Sequence, residues 1–162
     1  MHLRVTTMVR DVMARRPITV DPEAPLATAI AVMRDKEIRH LPVVDETGQL
    51  IGIITDRDLR SAALGSSLAE FLPVDLRRAV DSAAAMLQEL RVRDAMTWGV
   101  VTTRPDASVA EAGAVMFERR IGSLPVRENG KLVGIVTERD IFKALMMAIK
   151  PVRGVDPDTF FW

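Results

Sequence analysis

Apolar and polar positions alternate in blocks that predict short strands and amphipathic helices along the chain. After Pro25, a residue suited to the first helical position, the apolar residues Leu26, Ile30 and Met33 recur at helical spacing. Two apolar runs on either side of a turn around Glu46–Gly48 are typical of buried strands. The elements predicted in this block are, in order, a helical turn near Asp11–Met13, a strand at Ile18–Val20, a helix from Pro25, strands at Leu41–Val44 and Leu50–Ile54, and a helix from Asp56 to about Leu64.

This block is repeated in the second half of the chain at a nearly constant spacing. The matched segments are Val9–Met13 with Val92–Met96, Ile18–Thr19 with Val101–Thr102, Leu41–Val43 with Leu124–Val126, and Gly52–Asp58 with Gly134–Asp140. In the second copy, Ser108 and Glu111 form a capping-box pattern at the start of a helix. Matches in one order, with a single one-residue deletion near Thr47, indicate a duplicated β-α-β-β-α unit.

The repeats divide the chain into a first unit (1–64), a linker (65–91), a second unit (92–149) and a tail (150–162). Gly65-Ser66-Ser67 predicts a helix end followed by a loop. Apolar positions between Asp75 and Leu90 predict an amphipathic linker helix, packed on the body of the protein or on a second subunit. The tail ends in Phe160-Phe161-Trp162, which we expect to pack on this protein or its dimer mate, with docking on another protein as the alternative.

The composition narrows the classes of function. Lysine plus arginine and aspartate plus glutamate are both 22, so the net charge is zero and no overall field attracts nucleic acid. The absence of cysteine excludes disulfides, thiolate metal sites and cysteine nucleophiles, and there are only two histidines. No apolar run approaches the roughly 20 residues needed to span a bilayer. We therefore expect a soluble cytoplasmic protein that binds neither nucleic acid nor membrane.

The most informative repeated stretch is the junction between an apolar run and the helix that follows it. The junction has the pattern Gly-x-x-Thr-x-x-Asp, with Thr55 and Asp58 in the first unit and Thr137 and Asp140 in the second. The Thr-x-x-Asp spacing is that of a helix cap, and unpaired N–H groups at a helix start attract anions. The sequence leaves two interpretations open, a cap alone or a cap that also holds a ligand. The glycine permits either close approach of a strand or ligand base, or a strand bulge.

Together these motifs resemble the cystathionine-β-synthase (CBS) domain, present twice as a CBS pair or Bateman module. The resemblance rests on Val9–Met13, Ile38–Asp45 and Gly52–Asp58, on their second copies, and extends over residues 8–147. It implies an α/β (α+β) fold in which tandem β-α-β-β-α units pack about a pseudo-twofold axis. It also implies a homodimer with a regulatory role. Members of the family sense AMP, ADP or ATP, and in some cases S-adenosylmethionine or a dinucleotide.

The resemblance assigns a ligand role to residues in each unit. The junction aspartate would accept the ribose hydroxyls and the threonine would donate to a phosphate. Ile18–Thr19 and Val101–Thr102 would line the adenine. The full set of implied ligand-binding residues is Ile18, Thr19, Arg39, His40, Leu41, Pro42, Thr55, Arg57 and Asp58 in the first unit, and Val101, Thr102, Ser123, Leu124, Pro125, Thr137, Arg139 and Asp140 in the second.

The two units differ where a phosphate would bind. Arg39, His40 and Arg57 are the candidate phosphate cations of the first unit, and solvated surface charge is the alternative interpretation of each arginine. In the second unit Gly122 and Ser123 replace Arg39 and His40. We therefore expect the two sites to hold different numbers of phosphates.

Two other classes of function are considered. A purely structural dimerisation module without ligand would show the same repeats. An enzyme is not expected, because Gly-x-Ser-x-Gly and P-loop motifs are absent. The acidic pairs Asp56/Asp58 and Glu138/Asp140 could bind Mg²⁺ together with a nucleotide, but they do not make a catalytic centre. The protein target that would receive the signal is not identified by the sequence.

Overall fold

The computed structural model describes residues 7–68 and 89–148. The elements of the first unit are α1 (Val9–Val12), β1 (Ala14–Arg15), α2 (Leu26–Asp35), β2 (His40–Val44), β3 (Leu50–Thr55) and α3 (Asp56–Leu68). Those of the second unit are α4 (Val92–Ala95), β4 (Thr97–Trp98), α5 (Val109–Arg119), β5 (Ser123–Glu128), β6 (Lys131–Thr137) and α6 (Glu138–Ala148). The same order of elements occurs in both units, which confirms the duplicated fold of mixed helices and strands.

Each unit builds a three-stranded antiparallel sheet whose third strand comes from the other unit. The first sheet has the order β2-β3-β4, and its third strand, β4, belongs to the second unit. The second sheet has the order β1-β6-β5, and its third strand, β1, belongs to the first unit. The two units are therefore joined by backbone hydrogen bonds within both sheets.

The short helices α1 and α4 are exchanged in the same way. The N–H of Val9 donates to the carbonyl of Ala107 at 2.9 Å, and the N–H of Val92 donates to the carbonyl of Ala24 at 3.0 Å. Both valines are fully buried, each in the hydrophobic core of the opposite unit. Because equivalent contacts occur in both directions, the units are related by the predicted pseudo-twofold axis.

The cores follow the predicted apolar helix faces. On α2, Leu26, Ala29 and Met33 are buried against the first sheet, and full burial of a leucine contributes about 1.5–3 kcal/mol. At the start of α5, the N–H and Oγ of Ser108 both donate to the carboxylate of Glu111 at 2.8 Å, which confirms the predicted capping box. Within the described ranges, no helix combines the length and apolarity needed to cross a membrane.

The strand predicted at Ile18–Val20 is wrong. Only Val20 pairs there, in an isolated parallel bridge with Val43, and the strand lies earlier, at Ala14–Arg15. The two residues of that strand are exposed and carry no apolar pattern. They pair through their backbone with a strand of the other unit, and this partner could not be identified from local sequence.

The helix end predicted at Gly65 is also wrong, because α3 continues to Leu68. A glycine inside a helix costs about 1 kcal/mol relative to alanine, and it ends a helix only where the backbone turns left-handed. The predicted linker helix lies outside the described residues except for its last two positions, 89 and 90. The aromatic tail at 160–162 also lies outside them.

Gly52 and Gly134 lie where the exchanged strands β4 and β1 pair with β3 and β6. A Cβ on Gly52 would lie 2.7 Å from Sδ of Met96 and 3.0 Å from the carbonyl oxygen of Thr97. A Cβ on Gly134 would lie 2.6 Å from Sδ of Met13 and 3.0 Å from the carbonyl oxygen of Ala14. The strand register also shifts beside each glycine. Close strand approach and an irregular register, the two structural alternatives left open by the sequence, are therefore both present.

Candidate ligand sites

In the first unit, hydrogen bonds between Thr55 and Asp58 close the junction of β3 and α3. One carboxylate oxygen of Asp58, Oδ2, accepts from the N–H of Thr55 at 2.8 Å and from its Oγ1 at 2.7 Å. The N–H of Asp58 donates back to Oγ1 of Thr55 at 3.3 Å. The helix cap predicted from the sequence is therefore formed, and it uses only one carboxylate oxygen.

The junction of β6 and α6 repeats this geometry with Thr137 and Asp140. Oδ2 of Asp140 accepts from the N–H of Thr137 at 2.9 Å and from its Oγ1 at 2.7 Å, and the N–H of Asp140 donates to Oγ1 of Thr137 at 3.4 Å. Both aspartates are half-buried. In each, no described residue forms a hydrogen bond to the second oxygen, Oδ1. Each carboxylate therefore keeps one oxygen that can accept donors from a ligand. A capping role and a ligand role are compatible.

The segment predicted to line the adenine in the first unit lies along β2. The N–H of Val20 donates to the carbonyl of Pro42 at 3.1 Å. Ile18 and Thr19 precede this contact and are exposed, Ile18 by 41%, whereas Leu41 and Pro42 are buried. An exposed isoleucine beside a buried strand is an apolar surface that a planar base can cover.

The start of β2 brings the two halves of the first site together. His40 is the strand partner of Thr55 on β3, and the segment that contains Ile18 lies along the other edge of β2. The carbonyl of Arg39 accepts the N–H of Asp56, the first residue of α3, at 3.0 Å. We define the first site as the nine residues predicted in the first unit, from Ile18 to Asp58.

The second unit builds an equivalent second site, defined as its eight predicted residues from Val101 to Asp140. The N–H of Thr103 donates to the carbonyl of Pro125 on β5 at 3.0 Å. This hydrogen bond is equivalent to the one from Val20 to Pro42 on β2. Val101 is 37% exposed and Thr102 is half-buried, whereas Ser123–Pro125 are buried. Ser123 is the strand partner of Thr137. The segment predicted to line the base and the junction therefore both lie beside β5.

The arginines predicted at the phosphate ends are Arg39, Arg57 and Arg139. All three are exposed, and none forms an ion pair with any residue in the described parts of the chain. Each guanidinium can therefore take an anion without breaking an existing salt bridge. Their role in phosphate binding stays a prediction.

Comparison with known families decides the assignment. The family model described as "CBS domain" matches residues 9–65 and 92–147, which together make up most of the chain. The chain belongs to the CBS-domain family. It is 33% identical to a CBS domain-containing protein of Dictyostelium discoideum over 146 residues, 90% of this chain and 95% of that one.

Two further relatives show the settings in which such pairs occur. An inosine-5′-monophosphate dehydrogenase of Methanocaldococcus jannaschii is 34% identical over 82% of this chain, but the match covers only 22% of that enzyme. The CBS domain pair of protein MJ0100 was solved with 5′-methylthioadenosine and S-adenosyl-L-methionine. It is 28% identical to this CBS pair, with a TM-score of 0.71 over 89% of this chain and 99% of that one.

His40 differs from the other predicted cations because it is half-buried between the CBS units. Burial is the main cause that lowers its pKa below the ordinary value of 6.5, and the charge of Arg39 lowers the pKa further. The carboxylates of Asp56, Glu138 and Asp58 act in the opposite direction without overcoming the burial. At pH 7 the imidazole is therefore mostly neutral, and it acts as a hydrogen-bonding group more than as a cation.

A contact that the sequence did not predict lies between the two CBS units at Gly122. A Cβ on Gly122 would lie 3.2 Å from Nε2 of His40 and 3.6 Å from Oε2 of Glu138. The only indication in the sequence is that Gly122 and Ser123 stand where the first unit has Arg39 and His40. Internal comparison of the repeats showed this difference, but it did not show that His40 reaches Gly122.

The acidic pairs considered for Mg²⁺ have other partners. Asp56 forms an ion pair with Arg60 at 2.9 Å, one turn along α3, and Asp58 caps the same helix. Among residues 7–68 and 89–148, no three carboxylates or imidazoles converge as metal ligands would. The geometry therefore offers no ready-made Mg²⁺ site in the described chain.

Proposed function

We propose that this CBS pair is a regulatory module that binds an adenine nucleotide (AMP, ADP or ATP) in both sites. The observation that carries the proposal is the junction built twice with the same geometry. At each junction a half-buried aspartate keeps one free oxygen at a helix start, in a unit that also exposes Ile18 or Val101. The ligands in the structure of the MJ0100 pair, both adenosyl compounds, support this class of ligand.

The ribose, the base and the phosphates of the ligand each match one group of residues in the first site. The free oxygen of Asp58 accepts ribose hydroxyls, and charge-assisted hydrogen bonds of this kind are the stronger ones. Ile18 and the adjacent backbone cover the base. Thr55, Arg39 and Arg57 face the phosphates, where the N–H groups at the start of α3 also favour negative charge.

The two sites prefer different ligands. Arg39, Arg57 and the imidazole of His40 give the first site several groups that favour a polyphosphate such as ADP or ATP. The second site keeps only Arg139 at its phosphate end, beside Gly122 and Ser123. A ligand with fewer phosphates suits this site, and S-adenosylmethionine or a dinucleotide is the alternative there.

The response to ligand is a change in how the units pack, not a reaction. Because each sheet contains a strand of the other unit, a ligand that tilts one unit also moves the other. A ligand shifts such an equilibrium only through different affinities for the two arrangements. We assign no catalytic residue to the chain, and its output is a changed surface for a protein partner.

We also propose that the module is a homodimer formed through α5 and α6. These helices expose Phe117 by 86%, Phe142 by 64%, Met146 by 55% and Met147 by 80%. Phe142 and Met146 are one helical turn apart, so they lie on the same face of α6. A face of this kind is favourable only when another apolar surface covers it.

Calorimetry with AMP, ADP, ATP and S-adenosylmethionine tests the ligand proposal. Wild-type protein should bind at two sites, and Asp58→Ala and Asp140→Ala should each weaken one site by about tenfold or more, since a hydrogen bond to a charged group contributes about 1.5–3 kcal/mol. Glu111→Ala is the matched control, because it removes the same kind of cap from α5 without touching either site.

The outcomes separate ligand binding from a purely structural role. If the wild type binds none of the four compounds, the ligand proposal is wrong and a structural dimerisation module is favoured. If Glu111→Ala weakens binding as much as the aspartate variants do, the effect comes from helix stability and the assigned ribose contacts are wrong. Thermal unfolding of all variants shows whether each one is folded.

A further inference from the structure

The imidazole of His40 reaches from the first unit to the second. His40 belongs to β2, yet its Nε2 and Cε1 lie 3.2 and 3.7 Å from the position of a Cβ on Gly122. The carbonyl of Gly122 accepts the N–H of Glu138 at 3.0 Å, and Glu138 is the first residue of α6. The ring therefore lies against Gly122, the residue before β5, whose carbonyl is hydrogen-bonded to the first residue of α6.

The contact depends on a difference between the two units. Arg39 occupies the place of Gly122 in the first unit, and its carbonyl accepts the N–H of Asp56 in the same manner. The backbone is thus equivalent in both units, but only one of them lacks a side chain at this point. A contact at 3.2 Å to an added Cβ is tighter than ordinary packing, so glycine at 122 makes room for the imidazole.

Charged groups from both units surround the ring. The charges that act on His40 are those of Arg39 on its own strand edge, Asp56 and Asp58 on α3, and Glu138 on α6. His40 is also the strand partner of Thr55 in the first site, while Gly122 precedes Ser123 in the second. A side chain of the first site therefore lies against Gly122, the residue next to Ser123 of the second site.

We propose that His40 couples the two units, because its imidazole transmits occupancy or charge at either site to the other. The proposal rests on the proposed function for the identity of the ligand, but the contact itself does not. A phosphate at the first site attracts the ring and draws it away from Gly122. A ligand at the second site displaces Gly122, against which the ring lies.

The contact is tested without ligand by NMR titration of the histidine C2 protons. His2→Gln removes the other histidine signal. Glu138→Gln should lower the pKa of His40 further, because it removes a carboxylate of the second unit that favours the imidazolium. Asp106→Asn is the control, an exposed second-unit carboxylate that does not act on His40. An unchanged pKa in Glu138→Gln would overturn the proposal.

Coupling is tested by adding AMP to Asp58→Ala and to Asp140→Ala, each of which keeps one intact site. The His40 signal should shift in both variants, although it belongs to the first unit. A shift in only one of them would overturn the coupling, and Asp58→Asn replaces the alanine variant if that variant does not fold. If wild-type protein binds no AMP, the assignment of AMP to the sites fails, and the Glu138→Gln titration then decides the role of His40.

Discussion

The aspartates at the two junctions show how a residue that caps a helix can keep one carboxylate oxygen without a partner in the described chain. In Asp58 and Asp140, Oδ2 completes a helix cap, while Oδ1 has no hydrogen bond to any described residue. A carboxylate has about four acceptor positions, so the cap does not exhaust it. The cap also holds the side chain in one orientation, which lowers the entropy cost of binding a ligand there.

The capping box of α5 leads to a prediction about acid stability. Hydrogen bonds from the N–H and then the Oγ of Ser108 lower the pKa of Glu111 below its ordinary value of 4.5. Such a group stabilises the fold above pH 4.5, and this contribution is lost as the pH falls through the lower folded-state pKa. We expect Glu111→Gln to flatten the decline of unfolding free energy below pH 4.5, measured by urea unfolding at a series of pH values.

The control for this prediction is Glu118→Gln on the same helix. The side chain of Glu118 is exposed and forms no hydrogen bond or ion pair within the described chain, so its replacement controls for the loss of a surface carboxylate from α5. A Glu111→Gln profile identical to that of the wild type would contradict the prediction.

At the scale of elements, the two exchanged strands, β1 and β4, are very short and need support from the rest of the fold. Each contributes two residues to a sheet whose other strands have five to seven. Strands of two residues are too short to be stable alone. They are held because the helix that precedes each strand, α1 or α4, is anchored in the core of the opposite unit.

The close approach of the chain before and within β4 to Gly52 gives a prediction for this exchange. Gly52→Ala should reduce the free energy of unfolding by about 1–3 kcal/mol, because the added methyl meets Met96 and the Thr97 carbonyl. Urea unfolding followed by circular dichroism measures the change. The matched control is Gly113→Ala on α5, where the nearest atom is Cγ2 of Ile141 at 3.3 Å and helix propensity favours alanine.

Gly113→Ala should therefore change stability little in either direction. If Gly52→Ala unfolds at the same urea concentration as the wild type, the exchanged strand does not lie against Gly52 as closely as the structure shows. The double variant Gly52→Ala with Met96→Ala should recover little, because the Thr97 carbonyl still lies 3.0 Å from the new methyl.

At the scale of the whole molecule, the pseudo-twofold symmetry is broken on the helical surface. Phe117 on α5 and Phe142 on α6 stand where the first unit has Arg34 and Arg60. The second unit thus exposes apolar side chains at positions where the first exposes cations. The exposed helical surfaces of the two units therefore differ in chemistry, apolar in the second unit and cationic in the first.

The proposed homodimer gives a prediction at this scale. Phe142→Arg introduces the residue that the first unit has at the same place, and two like charges should oppose association of the α5 and α6 faces. We expect sedimentation velocity to show a larger monomer fraction than in the wild type at equal concentration. Trp98→Arg is the matched control, because it also introduces the first-unit residue, Arg15, at an exposed aromatic position outside these helices.

Trp98→Arg should leave the sedimentation profile unchanged. A wild type that sediments as a monomer at all concentrations would contradict the proposed homodimer. A dimer that persists in Phe142→Arg would instead locate the interface away from α6.

Features that depend on neighbours in the chain could be predicted from the sequence. The helix caps at Thr55 and Ser108 need partners only three residues away, so their spacing was sufficient evidence. The apolar faces of the helices and the hairpin of β2 and β3 were also local patterns. The strand at Ala14–Arg15 was missed because its partner is in the other unit.

The sequence by itself determined that the fold is duplicated, where each junction lies, and that Gly122 and Ser123 of the second unit replace Arg39 and His40 of the first. These features follow from residue order and from interactions within a few positions of the chain. Only the tertiary structure decided that the short strands and helices are exchanged, and that His40 rests on Gly122 of the other unit. Such contacts join residues far apart in sequence, and the packing of the whole core, not any local pattern, places them together.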